Sequence, residues 1–178
     1  YLRAVVNRET GIRAASVLSN VPVAAMKSYP KLLVATDNGI VPHPDLDQKR
    51  QIILNPRNLF RGFGIDTVMT AAVAATEKVS QALPATTDAQ TLAQESAQGL
   101  IPGFVVEGPF GYDVAVSKTS AEKKGLIGSN VGGNADLILF PTIDAANAVA
   151  KSWKFHGDAE TGSIVLGARV PVLLNSRS

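Results

Sequence analysis

The residues best suited to chemistry sit near the two ends of the chain and in one central stretch. Ser176-Arg177 places a hydroxyl next to a guanidinium directly after an apolar run. Arginine offers a planar fork of donors that matches phosphate, and a neighbouring hydroxyl can hydrogen-bond a developing thiolate or oxyanion. Arg3 supplies a second cation at the other end. Between them, residues 106–152 hold two strand-to-turn junctions, each with a proline, and a glycine run. Ligands of open α/β sheets lie beyond the carboxyl ends of the strands, so the polar residues after 104–106 and after 137–140 are the first candidates. Glu107 and Asp113 belong to the first group, where two roles suit them equally: bracing a loop or meeting a ligand.

Other familiar chemistries find no support. The run Gly-Ser-Asn-Val-Gly-Gly at 128–133 has the composition of an anion-binding loop, but it precedes the apolar stretch 135–140. A phosphate loop follows a strand and opens a helix, so this run is expected to be a connector. His43 and His156 have no second ligand at metal spacing, and no Gly-x-Ser-x-Gly elbow occurs. Cysteine is absent, which removes disulfides, thiolate metal sites and cysteine nucleophiles, and fits a cytoplasmic setting. The net charge of +2 is small and the basic residues are scattered, so neither a nucleic-acid footprint nor a membrane partner is indicated. At 178 residues, 46% hydrophobic and 18% charged, the chain suits one globular domain with an adequate core.

The elements that must position these residues follow from pattern. A helix end is expected over 1–7, then a β-rich run at 14–26 with Pro22 as a bend or edge marker, and a strand at 31–36 closed by the turn cluster Thr36-Asp37-Asn38-Gly39. Asp45 and Gln48 form a capping box that opens a helix, which kinks or restarts at Pro56 and runs to Gly62. A strand at 67–74 follows. A second capping box at Thr87 and Gln90 predicts a helix ending at Gly99. Strands at 103–106 and 135–140, a short helix at 118–124, a helix from Asp144 to about Phe155, and strands at 163–168 and 170–174 complete the chain. Strands alternating with helices imply a three-layer α/β/α fold around a mostly parallel sheet. The side chains of Ser176 and Arg177 should then leave the sheet at the same edge as Glu107 and Asp144.

Five stretches, taken in order, carry a resemblance: Leu2-Arg-Ala-Val5, Val106-Glu-Gly-Pro-Phe-Gly-Tyr-Asp113, Asn134-Ala-Asp-Leu-Ile-Leu-Phe-Pro141, Ala146-Asn-Ala-Val-Ala-Lys-Ser152 and Gly167-Ala-Arg-Val-Pro-Val-Leu-Leu-Asn-Ser-Arg177. Together they resemble the phosphate acetyltransferase and phosphate butyryltransferase family. Lys151-Ser152, Phe155 and a Ser-Arg pair without a following glycine look more like the butyryl branch. The resemblance implies two α/β/α domains of isocitrate/isopropylmalate dehydrogenase-like architecture with a cleft between them. Residues 1–13 would end a first-domain helix, 14–150 form the second domain, and 151–178 return to the first, so the chain is expected to be a fragment. The implied reaction exchanges an acyl group between coenzyme A, a substrate, and orthophosphate, with no metal or further cofactor, in a cytoplasmic homodimer. Arg177 and Arg3 would hold phosphate or polarise the acyl carbonyl, and Ser176 would hydrogen-bond the thiol or thiolate. Glu107, Asp113, Asn147 and Lys151 would bind substrate.

The sequence departs from the family pattern at several points. The general-base aspartate is expected beyond Ser178. Phe155, beside Lys154, stands where the acetyl branch has arginine; Thr142 stands for aspartate and Ala146 for glycine. Two other readings remain: an inactive coenzyme A-binding or assembly fragment of the same fold, and a metal-dependent dehydrogenase of related architecture. The dehydrogenase would need a carboxylate cluster that the sequence does not assemble.

Overall fold

Short connections and long ones divide the sheet into two halves of different character. The computed structural model describes residues 7, 12 and 14–173. Its strands are β1 (Ser19–Ala25), β2 (Leu33–Thr36), β3 (Val68–Val73), β4 (Phe104–Phe110), β5 (Leu137–Leu139), β6 (Glu160–Leu166) and β7 (Val172–Leu173). They form one sheet in the order β4-β3-β5-β2-β1-β6-β7. From β4 to β2 the pairs are parallel, joined by long crossovers; β1, β6 and β7 add on antiparallel. The sheet is therefore mixed rather than mostly parallel. Residues 26–32 and 167–171 are too few for parallel crossovers, so β1–β2 and β6–β7 must reverse direction.

The helices are α1 (Leu46–Leu54), α2 (Arg57–Gly62), α3 (Pro84–Ala97), α4 (Tyr112–Val116), α5 (Lys118–Lys123) and α6 (Ile143–Phe155). Ile52, Ile53, Phe60 and Leu92 of α1–α3 pack with Val34, Val68, Leu137 and Leu139 on one face. Val114, Ala121, Ala146 and Trp153 of α4–α6 pack with Leu33, Ala35 and Ile138 on the other. Leu137-Ile138-Leu139 is buried throughout because side chains alternate across a strand and both faces are covered. These are the three α/β/α layers expected. None of the described helices is long and apolar enough to cross a membrane.

Local signals succeeded where the chain alone decides. Asp45 accepts from the Gln48 amide while the Gln48 side chain accepts from the Asp45 amide, so the first capping box forms. Pro56 separates α1 from α2, as the restart required. The second box does not form. Helix α3 begins earlier, with Pro84 in its first turn, and the Thr87 hydroxyl donates to the Pro84 carbonyl. Proline's fixed φ and missing donor suit the first helical position, and that preference wins over the Thr-Gln pattern. Helix α4 was not foreseen; at five residues it is too short to show periodicity.

One aromatic clamp joins α6 to α4 and to the end of β5. Trp153 of α6, almost fully buried, donates its indole N–H to the Tyr112 hydroxyl at 2.6 Å. Tyr112 in turn stacks on Phe140, whose centroid is 6.4 Å away, directly after β5. Tyr112→Phe leaves the indole N–H buried without its acceptor, which costs about 1–3 kcal/mol. Urea denaturation should show that loss as a lowered midpoint with an unchanged slope.

Candidate functional site

The turn after β2 concentrates hydrogen bonds at the carboxyl edge of the parallel strands. Asp37 is buried, and its Oδ1 accepts from the amides of Asn20 (2.8 Å) and Gly39 (3.0 Å). Its Oδ2 accepts from Val41 at 2.7 Å, and the Ile40 amide reaches both oxygens at 3.2 Å. Burial pushes the Asp37 carboxyl above its ordinary pKa, although these amides pull it the other way by favouring the charged form. Asn38 extends the network. Its side-chain oxygen accepts from Asn20 Nδ2 at 2.7 Å, and its carbonyl accepts from Asn147 Nδ2 at 3.1 Å. Ser163 of β6 donates to Asn20 Oδ1, and the Ile143 amide donates to the Pro42 carbonyl. One turn thus binds β1, β6 and the start of α6. Thr142 takes the N-cap place of α6, with its hydroxyl facing the Ala145 amide. Among the described residues, Thr36 Oγ1 is the buried side-chain atom without a hydrogen-bond partner.

Next to this turn, beyond β3 and β5, a small recess opens between α1 and α3. Ala72, Val73, Leu139 and Pro141 line it together with Lys49 and Asp88. Lys49 Nζ meets Asp88 Oδ2 at 2.6 Å, and Lys49 is 5% exposed. A second bridge joins the same helices: Arg50 forks onto both oxygens of Glu95, at 2.5 and 2.6 Å. That guanidinium holds the Glu95 carboxyl below its usual range. At the end of β4, Glu77 Oε1 accepts from the Gly111 amide and from Lys124, both at 2.9 Å, and Lys124 also meets Asp113 at 3.1 Å. Burial draws the Glu77 carboxyl upward, but the lysine and the amide together outweigh it and leave the pKa lowered.

The candidates from sequence fall into separate networks. Glu107 accepts from the Ser129 hydroxyl and from the Asn130 amide, and Ser129 Oγ accepts from the Val131 and Gly132 amides. The glycine run is thus a braced connector, as its order implied, and its amide donors turn inward. Gly133 has φ of 69°, and a Cβ there would lie 2.2 Å from the Lys118 amide nitrogen, so only glycine fits. Asp113 belongs to the Lys124 cluster, Asn147 to the Asn38 network, and Lys151 is exposed on α6. Arg3, Ser176 and Arg177 lie outside the described residues. Strand β7, which leads toward the Ser-Arg pair, runs antiparallel to β6 and hence against β2, β3 and β5. Its carboxyl end does not share their edge, contrary to the direction expected. Sequence reading missed Asp37, Asn20 and Lys49: Asp37 and Asn38 were visible only as turn formers, and Lys49 only as a polar helix position.

Residues 1–178 match the family described as phosphate acetyl/butaryl transferase. The chain is 39% identical over 177 residues to a probable phosphate butyryltransferase of Bacillus subtilis, covering 99% of this chain and 59% of that protein. It is 39% identical over 178 residues to a phosphate acetyltransferase of Rickettsia felis, covering 99% and 51%. A branched-chain phosphotransacylase from Enterococcus faecalis V583 superposes with a TM-score of 0.87 at 25% identity, covering 99% of this chain and 63% of that one. The chain spans roughly half to three-fifths of the length of these curated relatives.

Asp37→Asn replaces an acceptor by a donor among converging amides and should cost roughly 2–3 kcal/mol at neutral pH. The folded carboxyl holds its proton more tightly than the unfolded one. Its contribution is therefore fully present below the ordinary value of 3.8 and declines as pH rises through the raised folded value. The stability deficit of the asparagine variant should be widest in acid and narrow as pH rises, which denaturation at a series of pH values measures.

Proposed function

This chain belongs to the phosphate acetyl/butaryl transferase family, and on that premise we propose that its protein exchanges a short acyl group between coenzyme A and orthophosphate. The observation that carries the reading is the unbroken match over residues 1–178, which includes Arg3 at one end and Ser176-Arg177 at the other. In the reaction a phosphate oxygen attacks the thioester carbonyl. The C–O bond forms, the C–S bond breaks, and the products are acyl phosphate and the thiolate of coenzyme A. Such a step asks the protein mainly to hold two anionic substrates together and to neutralise charge as it develops. Arg177 and Arg3 hold phosphate or polarise the carbonyl, and Ser176 donates to the departing sulfur. Asn147 and Lys151 on α6, Glu107 near the end of β4 and Asp113 in α4 contribute to substrate binding.

Lys151-Ser152 and Phe155 favour butyryl or a similar acyl group over acetyl. In this reading coenzyme A is a substrate and no other cofactor takes part. The chain supplies the second α/β domain of a two-domain, dehydrogenase-like architecture together with elements returning to the first, within a cytoplasmic homodimer. The general base is an aspartate beyond Ser178.

The test is phosphate-dependent release of coenzyme A from acetyl-, propionyl- and butyryl-CoA by the intact protein. Release is expected with at least one of them, and Arg177→Ala should lower kcat/KM by about 10²-fold or more. Absence of phosphate-dependent release from all three overturns the enzyme reading. Retained coenzyme A binding without turnover would instead favour an inactive binding module.

A further inference from the structure

Strands β3 and β4 are adjacent and parallel, but the helices that follow them pack on opposite faces of the sheet, α3 with Ala89 and Leu92 on one and α4 with Val114 and Ala115 on the other. Their loops therefore part at the carboxyl edge, the arrangement that leaves a crevice for a ligand in an α/β sheet. Glu77, in the loop leaving β3, reaches across this parting to the β4 side, where its Oε1 accepts from the Gly111 amide and from Lys124 Nζ, both at 2.9 Å. The far end of that loop is fastened to α3, since the Ser80 amide donates to the Thr86 hydroxyl. Glu77 is thus a charged tie between the two loops.

The tie ends on Asp113. Lys124 Nζ meets Asp113 Oδ1 at 3.1 Å, while Oδ2 has no hydrogen-bond partner among the described residues and the side chain is 53% exposed. Hydrogen bonds from Lys124 to Glu77 and then to Asp113 raise its pKa, so the ammonium stays charged between them. Gly111 shows how closely the three converge: a Cβ there would lie 2.6 Å from Asp113 Oδ1, 2.9 Å from Glu77 Oε1 and 3.2 Å from Lys124 Nζ. Its φ of −62° is one that any residue adopts, so the glycine is required by these side chains and not by the backbone. Two carboxylates against one ammonium leave the cluster with a net negative charge. It therefore repels phosphate groups and suits uncharged N–H and O–H donors, which a carboxylate accepts. Of the two proposed substrates, acyl-CoA carries such donors in its amides and hydroxyls, whereas orthophosphate is anionic throughout.

We infer that Asp113 receives an uncharged N–H or O–H donor of the acyl-CoA, and that Glu77 is a positioning residue that holds Asp113 there through Lys124. This rests on the proposed reaction and names which of its two substrates meets this loop, and by what chemistry. Glu77→Gln keeps an acceptor for the Gly111 amide but removes the charge that fixes Lys124. Gly111→Ala keeps every charge and displaces the cluster, at low cost to the fold because the atoms it meets are the ends of side chains.

The experiment measures kcat and separate KM values for butyryl-CoA and orthophosphate in the intact protein, with calorimetric binding of butyryl-CoA alongside. Circular dichroism confirms that each variant is folded, and Gly111→Ala carries the same comparison if Glu77→Gln does not fold. Asp113→Asn is expected to raise the KM for butyryl-CoA by about 10-fold, and Glu77→Gln and Gly111→Ala by about 3-fold or more, each with the phosphate KM unchanged. Glu77→Gln combined with Asp113→Asn should be no worse than Asp113→Asn alone, because a residue that acts through another adds nothing once the other is lost. A merely structural Glu77 gives effects that multiply, or that fall on both substrates alike. Either result overturns the inference while leaving the proposed reaction intact, and so does a butyryl-CoA KM that Asp113→Asn leaves unchanged. If the parent protein shows no turnover, the reaction fails and the same combination is read in calorimetric affinity for butyryl-CoA. A loss that the double variant does not deepen supports the inference there, and independent losses, or no binding by the parent, overturn it.

Discussion

The carboxylate of Asp37 holds the point where the two halves of the sheet meet. Strand β2 pairs parallel with β5 on one side and antiparallel with β1 on the other, so its end must serve both geometries. The turn leaving β2 has amides that no strand partner can take. Asp37 collects those of Gly39, Ile40 and Val41, and adds that of Asn20 from β1 across the antiparallel seam. A buried acid is costly unless its oxygens are filled, and here they are filled by backbone donors that would otherwise be unpaired themselves. Each need offsets part of the other, with burial prevailing. From that joint Asn38 reaches Asn147 on α6, and Asn20 reaches Ser163 on β6.

Ion pairs perform the corresponding task on the opposite side of the parallel half. Lys49–Asp88 and Arg50–Glu95 both link α1 to α3, one pair near the sheet and the other toward solvent. Two bridges fix the spacing of two helices better than either alone. The inner bridge is the consequential one: removing one member of a buried pair leaves an uncompensated charge, whereas a surface pair contributes little.

Legibility in sequence followed the range of the interaction. The Asp45–Gln48 box, the break at Pro56, the all-apolar run at 137–139 and the connector role of the glycine loop depend on neighbours within a few positions or on strand order, and all were readable. Thr87–Gln90 shows the limit of such reasoning, since a proline three residues earlier satisfied the helix start first. The direction of the outer strands was not readable from apolar pattern, because pattern marks a strand without assigning its partner; the lengths of 26–32 and 167–171 held that information. Asp37 was visible as a turn residue. Its role required knowing that residue 20 lies beside it. Lys49 was hidden for the same reason, because its partner is on another helix.

The antiparallel half ties together the two segments nearest the ends of the described residues. The amides of Ala14 and Ala15 both donate to the Gly167 carbonyl, and the Arg169 amide donates to the Ile12 carbonyl. Asn55, at the end of α1, donates to the Val17 carbonyl and to Ser19, fastening that segment to the helix that carries Lys49. Since β1 starts and β6 ends at the edge where β2 and β5 end, residues 14–18 and 167–169 lie at the same edge as the Asp37 turn. The stretches that lead toward Arg3 and toward Ser176-Arg177 are therefore bonded to each other before the chain reaches those residues. The proposed use of Arg3 together with Ser176-Arg177 would call for such a tie, because misplacement of a reacting group by about 1 Å can cost about 10²-fold in rate. The short antiparallel strands supply it with backbone hydrogen bonds alone.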